Sequence, residues 1–469
     1  MADYNFLLTT RLNQDQQLAL QVLQGICQQR RLNLYFTGGS MRDLLTGQAV
    51  RLLNFSLEGD PLPLETALAA AGGERLSPLR ETATLSFSLR GCRMRLQAAR
   101  RDGTGSGPAT IHDDLRRRGL TLNSIGLSLN PGSRGLPLDP CNGAADIEAH
   151  LIRMNHPYVF IEDPLATLRA TRLRTRLGFT IEERTAARIE VAREEDYLKQ
   201  ASPSARGQEL EAIAYEPDPA AVLTALEKEQ WLTAAFGPSV KTSKMNLAGL
   251  AKLTSAVESW ELLGLMIDVG LVAMPMMLAG LAPADQARLA QWLPSRHLAS
   301  GWKKLMVEAK GLEKRLLTLN SGGKWLAAAQ ELMEHCSPEA VVYASIDPSD
   351  AKAGKKLRDF HAQALIQRQK LPLGVLRALG LAPRSLQSEE LLRPWYKRLL
   401  AGEDLTEAGL SEGIRTSALA LRPVANTAPE PTHESKPPKK NIASAAKVIA
   451  KPKPAAKPAA RKMAARRRK

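Results

Sequence analysis

Aromatic side chains are scarce, at 4% of the chain, while Leu and Ala are frequent, so a helix-dominated protein is expected. Cysteine is also thin: Cys27, Cys92, Cys141 and Cys336 are scattered without paired or metal-like spacing. That excludes a disulfide framework and a zinc site, and fits reduced thiols in a cytoplasmic protein. The seven histidines show no ligand spacing either. Met1 to Asn5 has no basic segment ahead of an apolar run, so no secretory signal is expected there. One long apolar stretch exists, Leu262 to Leu281, and Asp268, Pro275 and three glycines interrupt it. It reads as a buried helical pair, and no membrane partner is expected.

Acidic residues are missing from the C-terminal end. Lys436 to Lys469 holds 13 Lys or Arg and no acid, so residues 1–435 carry 51 basic against 48 acidic side chains, a net of +3 out of the formal +16. After Leu421 the composition turns to Pro, Ala, Lys and Arg, which cannot bury enough apolar surface to order itself. Residues 416–469 therefore read as a disordered basic tail. Lys451, Lys453, Arg466, Arg467 and Arg468 mark it as a site for salt-dependent, sequence-blind binding to RNA or DNA, with a solubility tail as the alternative.

What is present in quantity is apolar surface, 44% hydrophobic over 469 residues, enough for several domains. Residues 1–30 have helical periodicity and lead into an apolar segment, Leu34 to Phe36. Gly38-Gly39 stops it, and Ser40-Met41-Arg42-Asp43-Leu44-Leu45 resumes as an amphipathic turn of helix. Leu64–Ala71 reads as a helix closed by Gly72-Gly73. Thr84–Leu89 and Arg93–Gln97 alternate about Arg90-Gly91-Cys92 as a hairpin, Leu120–Leu129 reads as a further strand, and Asp146–His150 starts a connecting helix. From Asp163 onward nearly every segment is helical in period, punctuated by prolines.

Three motifs carry chemistry. The first is Gly38-Gly39-x-x-Arg42-Asp43. The second is Asp113-Asp114-Leu115-Arg116-Arg117-Arg118-Gly119-Leu120-Thr121-Leu122-Asn123. The third is Glu162-Asp163-Pro164-Leu165-Ala166-x-x-Arg169-Ala170-x-Arg172. Together they resemble the class II tRNA nucleotidyltransferase and bacterial poly(A) polymerase family, over about residues 30–215 and faintly to about 410. Arg206-Gly207-Gln208-Glu209-Leu210 resembles the segment that closes the family neck. The resemblance implies an α+β fold: a nucleotidyltransferase-type mixed α/β head (1–150), then an all-helical neck (151–215), body (216–335) and tail domain (336–415).

Nucleotidyl transfer in this family needs two Mg²⁺ ions on hard carboxylates. The resemblance places those ligands at Leu52, Asn54 and Arg95, none of which is a carboxylate. In the second motif the family Asp is Gly119, and in the third the Arg that templates the incoming base is Ala166. Gly38, Gly39, Arg42, Asp43, Arg117, Arg118, Asn123 and Asp163 are the remaining candidates for nucleotide or phosphate. Arg169 and Arg172, three apart on a helix face, are candidates for RNA, or else are tied in ion pairs with head acids. The expectation is an RNA-binding member, tRNA being the favoured partner, impaired in nucleotidyl transfer and without a catalytic set or bound metal. Two alternatives stand beside it. One is an active transferase adding AMP or CMP through relocated carboxylates such as Glu58 and Asp60, which alone would need Mg²⁺ and ATP or CTP. The other is a nucleic-acid-binding scaffold working through its tail.

Overall fold

The computed structural model describes residues 4–100, 109–320, 322 and 324–421. The predicted tail cations Lys451, Lys453, Arg466, Arg467 and Arg468 lie outside them. Helix Glu407–Leu421 runs across residue 416, so the expected start of the disordered segment falls inside a helix.

The N-terminal thirty residues form two helices, Tyr4–Arg11 and Gln14–Gln29, where one was expected. Asn13 explains the break: its side chain accepts from the Gln16 N–H while the Gln16 side chain bonds back to the Asn13 N–H, a capping box that starts a new helix. Beyond it runs a sheet of seven strands: β1 (Asn33–Thr37), β2 (Leu53–Glu58), β3 (Glu74–Leu79), β4 (Thr84–Leu89), β5 (Cys92–Ala98), β6 (Gly126–Ser128) and β7 (Pro137–Leu138). Their order is β3-β4-β5-β2-β1-β6-β7, all antiparallel except β2 beside β5. The hairpin β4–β5 turns through Arg90 and Gly91, both at positive φ. Leu120–Leu129 is not one strand: a 3₁₀ turn, Thr121–Asn123, precedes β6.

Alternation along β2 decides which side chains face the site. Leu53, Phe55 and Leu57 are buried in the core, where Phe55 meets Phe36 edge-on at 5.6 Å, and Asn54, Ser56 and Glu58 take the other face. That second face lies toward helix Ile111–Arg117 and the helices that follow.

From Ala166 the chain is helical but for β9 (Thr180–Ile181), which pairs in parallel with β8 (Leu151–Ile152). The apolar stretch expected to form a helical pair holds a single helix, Val269–Leu278, with each residue after Val269 buried. Its Pro275 lies inside the helix and is buried. No helix among the described residues is long and apolar enough to cross a membrane. Residues up to Leu421 form one compact unit. Close helix approach contributes to that: a Cβ on Gly207 would overlap the Trp292 carbonyl oxygen, so helices Pro203–Ala214 and Pro283–Trp292 can meet here only through glycine.

Candidate functional site

The Gly-Gly turn is built as its sequence demands. Gly38 has φ of +68° and its N–H donates to the Ile125 carbonyl at 3.1 Å, so this donor faces the sheet. The mouth of the turn is filled from within. A Cβ on Gly38 would stand 2.5 Å from Nη1 of Arg118. The Arg118 Nη2 donates to Asp114 Oδ2 at 2.7 Å, Ser56 Oγ at 2.8 Å and Thr37 Oγ1 at 3.1 Å, and Nη1 donates to the Asn123 carbonyl at 3.1 Å. Arg118 is thus not the free phosphate fork expected from the sequence: Asp114, 1% exposed and four residues back on the same helix, holds it inward. Arg117 is exposed on the other side of that helix.

Arg42, Asp43 and Asn123 are likewise internal. Arg42 donates through Nε and Nη2 to Asp43 Oδ1 and through Nη1 to Asn123 Oδ1 at 2.8 Å, and Arg176 closes on the other Asp43 oxygen at 2.9 Å. Burial lowers the Arg42 pKa, with Asp43 pulling the other way. In this arrangement the three residues brace the turn from behind. Asn54 is tied down as well: its N–H and its carboxamide both donate to Ser40 Oγ, at 2.6 and 3.1 Å.

The three positions of the expected metal ligands do converge. β2 and β5 pair in a register that sets Asn54 directly opposite Arg95, with Leu52 one step ahead of β2. A divalent cation does not fit this set. Leucine offers no donor, an amide is a weak one, and the Arg95 guanidinium is itself a cation. Among the described residues no group of three His, Cys, Asp or Glu could hold a metal. The relocated carboxylates are engaged elsewhere. Glu58 accepts from the Ile111 N–H and Asn33 Nδ2, each at 2.8 Å, and from the Tyr35 hydroxyl at 3.4 Å. Burial, with Glu58 second, pushes the Tyr35 phenol up to about 12. Asp60 caps the Leu62 N–H at 2.9 Å.

The third motif lies on helix Ala166–Leu177. Asp163 pairs with Arg169 at 2.7 Å, and Arg169 also reaches Glu209 at 3.5 Å. Arg172, 8% exposed, pairs with Glu209 at 2.7 Å and with Glu216. Burial opposes its charge, but the two carboxylates prevail and hold its pKa above the ordinary arginine value. Arg176 joins Asp43 to Glu216, at 2.9 and 3.6 Å. Arg172 is thus buried and paired with acids of the segment after Pro203 rather than of the head. Sequence reading missed Arg176 and Glu216 altogether. It noted Glu209 only within a motif, whose role is now plain: Glu209 bridges Arg169 and Arg172, while Arg206 donates to the carbonyls of Leu198, Ala201 and Ala235.

The two other losses meet in space. A Cβ on Gly119 would lie 3.2 Å from Val159 Cγ1 and 3.5 Å from the Ala166 Cβ, and Ala166 is fully buried. The positions where the resembled family has an acid and an arginine are here two small residues in contact.

Residues 34–153 match the family model described as the poly A polymerase head domain. An A-adding tRNA nucleotidyltransferase of Aquifex aeolicus is 32% identical over 177 residues, 36% of this chain and 22% of that protein. One of Halalkalibacterium halodurans is 29% identical over 248 residues, 50% of this chain and 58% of that protein. The chain thus spans less than two thirds of either relative's length. Among solved structures, a Thermotoga maritima CCA-adding enzyme complexed with tRNA is 23% identical, with coverage of 89% of this chain and 99% of that one at a TM-score of 0.42.

Proposed function

We propose that this chain, whose head matches the poly A polymerase head domain, is an RNA-binding member of the tRNA nucleotidyltransferase/poly(A) polymerase family that does not transfer nucleotides by the two-metal route. The observation that carries this is the register of β2 on β5, which faces an amide with a guanidinium where two carboxylates would be needed. The Arg118–Asp114 pair supports it further, because the guanidinium occupies the mouth of the Gly38-Gly39 turn and would have to leave before a triphosphate could enter. Asp163 is paired with Arg169 and has no arginine at Ala166 beside it, so the edge that would select a base is incomplete.

The proposed partner is tRNA or an RNA with a similar 3′ region. Arg296, Lys303, Lys310 and Lys314 stand exposed along one stripe of helix Arg296–Thr318, and among the described residues none has a carboxylate within ion-pair distance. A helix of this length presents cations over roughly 30 Å, suited to a phosphate backbone and blind to sequence. The tail cations Lys451 to Arg468 would add to the same electrostatic term.

The test incubates the full chain with tRNA lacking its 3′ end, labelled ATP or CTP, and Mg²⁺ or Mn²⁺. Salt-dependent binding without incorporation is expected. Incorporation that disappears in Glu58→Ala or Asp60→Ala would overturn the reading in favour of relocated carboxylates.

A further inference from the structure

The face that carries Leu52 and Arg95 also borders a half-open cavity of about 60 Å³, lined by residues of β3, β4 and β5 on one side and by Glu211, Tyr215, Asp268 and His297 on the other. Such a space is roughly four times what one water needs, and too small for a nucleotide. Its charges are almost all matched. Arg75 pairs with Asp268 at 2.9 Å. Arg93 pairs with Glu211 at 3.1 Å and lies over the Tyr215 ring at 3.1 Å. The Tyr215 hydroxyl donates to Asp268 Oδ1 at 2.6 Å.

Arg95 is the exception. Among the described residues no carboxylate lies within ion-pair distance of it, and its Nε reaches Ser86 Oγ only at 3.5 Å. Burial lowers its pKa, with Glu211 pulling the other way and Arg93 and Arg169 adding to the lowering. A partly buried guanidinium without a counter-charge is a standing cost. Two further wall atoms are buried without a hydrogen-bond partner: His297 Nε2, which keeps Asp268 Oδ2 at 3.7 Å, and Glu211 Oε2. Burial and Arg75 hold the His297 ring below its usual pKa, so it is neutral near pH 7 and one of its nitrogens is a donor. Ser77, Ser86, Ser88 and Ser295 add hydroxyls.

The wall thus presents an unmatched cation, hydroxyl and ring donors, and one carboxylate oxygen in want of a proton to accept. A ligand that satisfies all of them must be an oxyanion that still carries a hydroxyl. Orthophosphate keeps one throughout the neutral range and a monoester, whose second pKa is about 6, keeps one in its monoanion, whereas sulfate and the backbone diesters of RNA have none.

We propose that this cavity is a metal-independent phosphate site, with Arg95 as its anchoring cation and Glu211 accepting a hydrogen bond from the phosphate hydroxyl. The ligand is free phosphate or a terminal monoester of RNA, the two sharing one chemistry. The position that would serve a metal ion in the resembled family has reversed its sign and holds the anion directly. This does not depend on the proposed tRNA binding, which would work through backbone diesters on the exposed cations of helix Arg296–Thr318.

Equilibrium dialysis of the full chain with radiolabelled orthophosphate, in EDTA, tests it. Saturable binding that excess sulfate does not displace is expected, weakened about tenfold or more in Arg95→Gln and largely kept in Arg95→Lys, as for loss of one charge-assisted bond. Glu211→Gln should let sulfate compete. Circular dichroism establishes that each variant is folded, and a folded Arg95→Gln with unchanged affinity overturns the proposal, as does a wild type that binds no phosphate or binds sulfate equally well. Short RNAs ending in phosphate or hydroxyl identify the source: competition by the phosphorylated form alone assigns the polymer end, and competition by neither assigns the free anion. Equal competition by the hydroxyl-ended RNA would refute monoester selectivity. tRNA binding by Arg95→Gln is measured separately, so that failure here and failure of the tRNA reading are distinguishable.

Discussion

Leu52, Asn54 and Arg95 stand half-buried on the adjoining interior strands β2 and β5 or just ahead of them, on a face that borders a cavity, whereas Arg169, Arg172 and Arg176 stand on a helix with Asp43, Asp163, Glu209 and Glu216 closed around them. The first group has lost the charges that the family resemblance would place there, and the second has kept them. A carboxylate on an open sheet face that holds no partner other than a ligand can be replaced without unbalancing its neighbours. An arginine buried between two carboxylates cannot, because removing it strands charges that water no longer reaches. Retention in the second region therefore reports on the scaffold, and loss in the first reports on chemistry. Gly119 and Ala166 agree with this rule from the other direction: both positions are small and adjoin, so no orphan charge stands between them.

The sharpest way to break the contrast is to cut the helical network. Arg172→Ala should lower stability by about 3–5 kcal/mol in guanidinium unfolding, since Glu209 and Glu216 would be left buried and uncompensated. A loss under about 1 kcal/mol would mean the network is ornamental and its arginines were kept for another reason. Next in size, Gly119→Asp or Ala166→Arg alone should each destabilise by about 1–3 kcal/mol, and the double variant should recover part of that through a coupling measurable in a double-mutant cycle. Strict additivity would refute the joint loss. Glu58→Ala should cost about 1 kcal/mol by uncapping helix Ile111–Arg117, with no effect on metal affinity if Glu58 is a cap and not a relocated ligand.

The smallest effect is a pH dependence. The His297 pKa is lowered in the folded protein, so the unfolded chain takes up the proton first. Its contribution to stability is present above about pH 6.5 and declines as pH falls through that value. His297→Asn should flatten the stability profile of the wild type between about pH 7 and 5.5, and an unchanged difference between the two would contradict the assignment.

Much of this was legible from residue order. The strand–turn–helix at Gly38-Gly39, the hairpin β4–β5 and the long helical half follow from apolar period and turn residues. β3 escaped notice because Glu74-Arg75-Leu76-Ser77-Pro78-Leu79 is an edge strand with a register shift, polar along its length and carrying a proline that only an edge tolerates. Leu120–Leu129 misled in the opposite sense, since its apolar residues serve a 3₁₀ turn and a three-residue strand that tertiary packing alone separates. At the site, the register of Asn54 on Arg95 was implicit in motif spacing. The inward turn of Arg118 onto Asp114 was not, because an arginine run reads the same whether it faces water or a buried carboxylate four residues away. The partners of Arg172 lie 37 and 44 residues away along the chain, beyond any local signal.

The central claim is that the sheet face holding Leu52, Asn54 and Arg95 does not bind a catalytic divalent cation. Its most direct test is an Mn²⁺ titration followed by electron paramagnetic resonance, comparing the wild type with L52D/N54D/R95E. The account predicts no tight stoichiometric site in the wild type and a new one in the triple variant, whereas a tight wild-type site abolished by Asn54→Ala would contradict it.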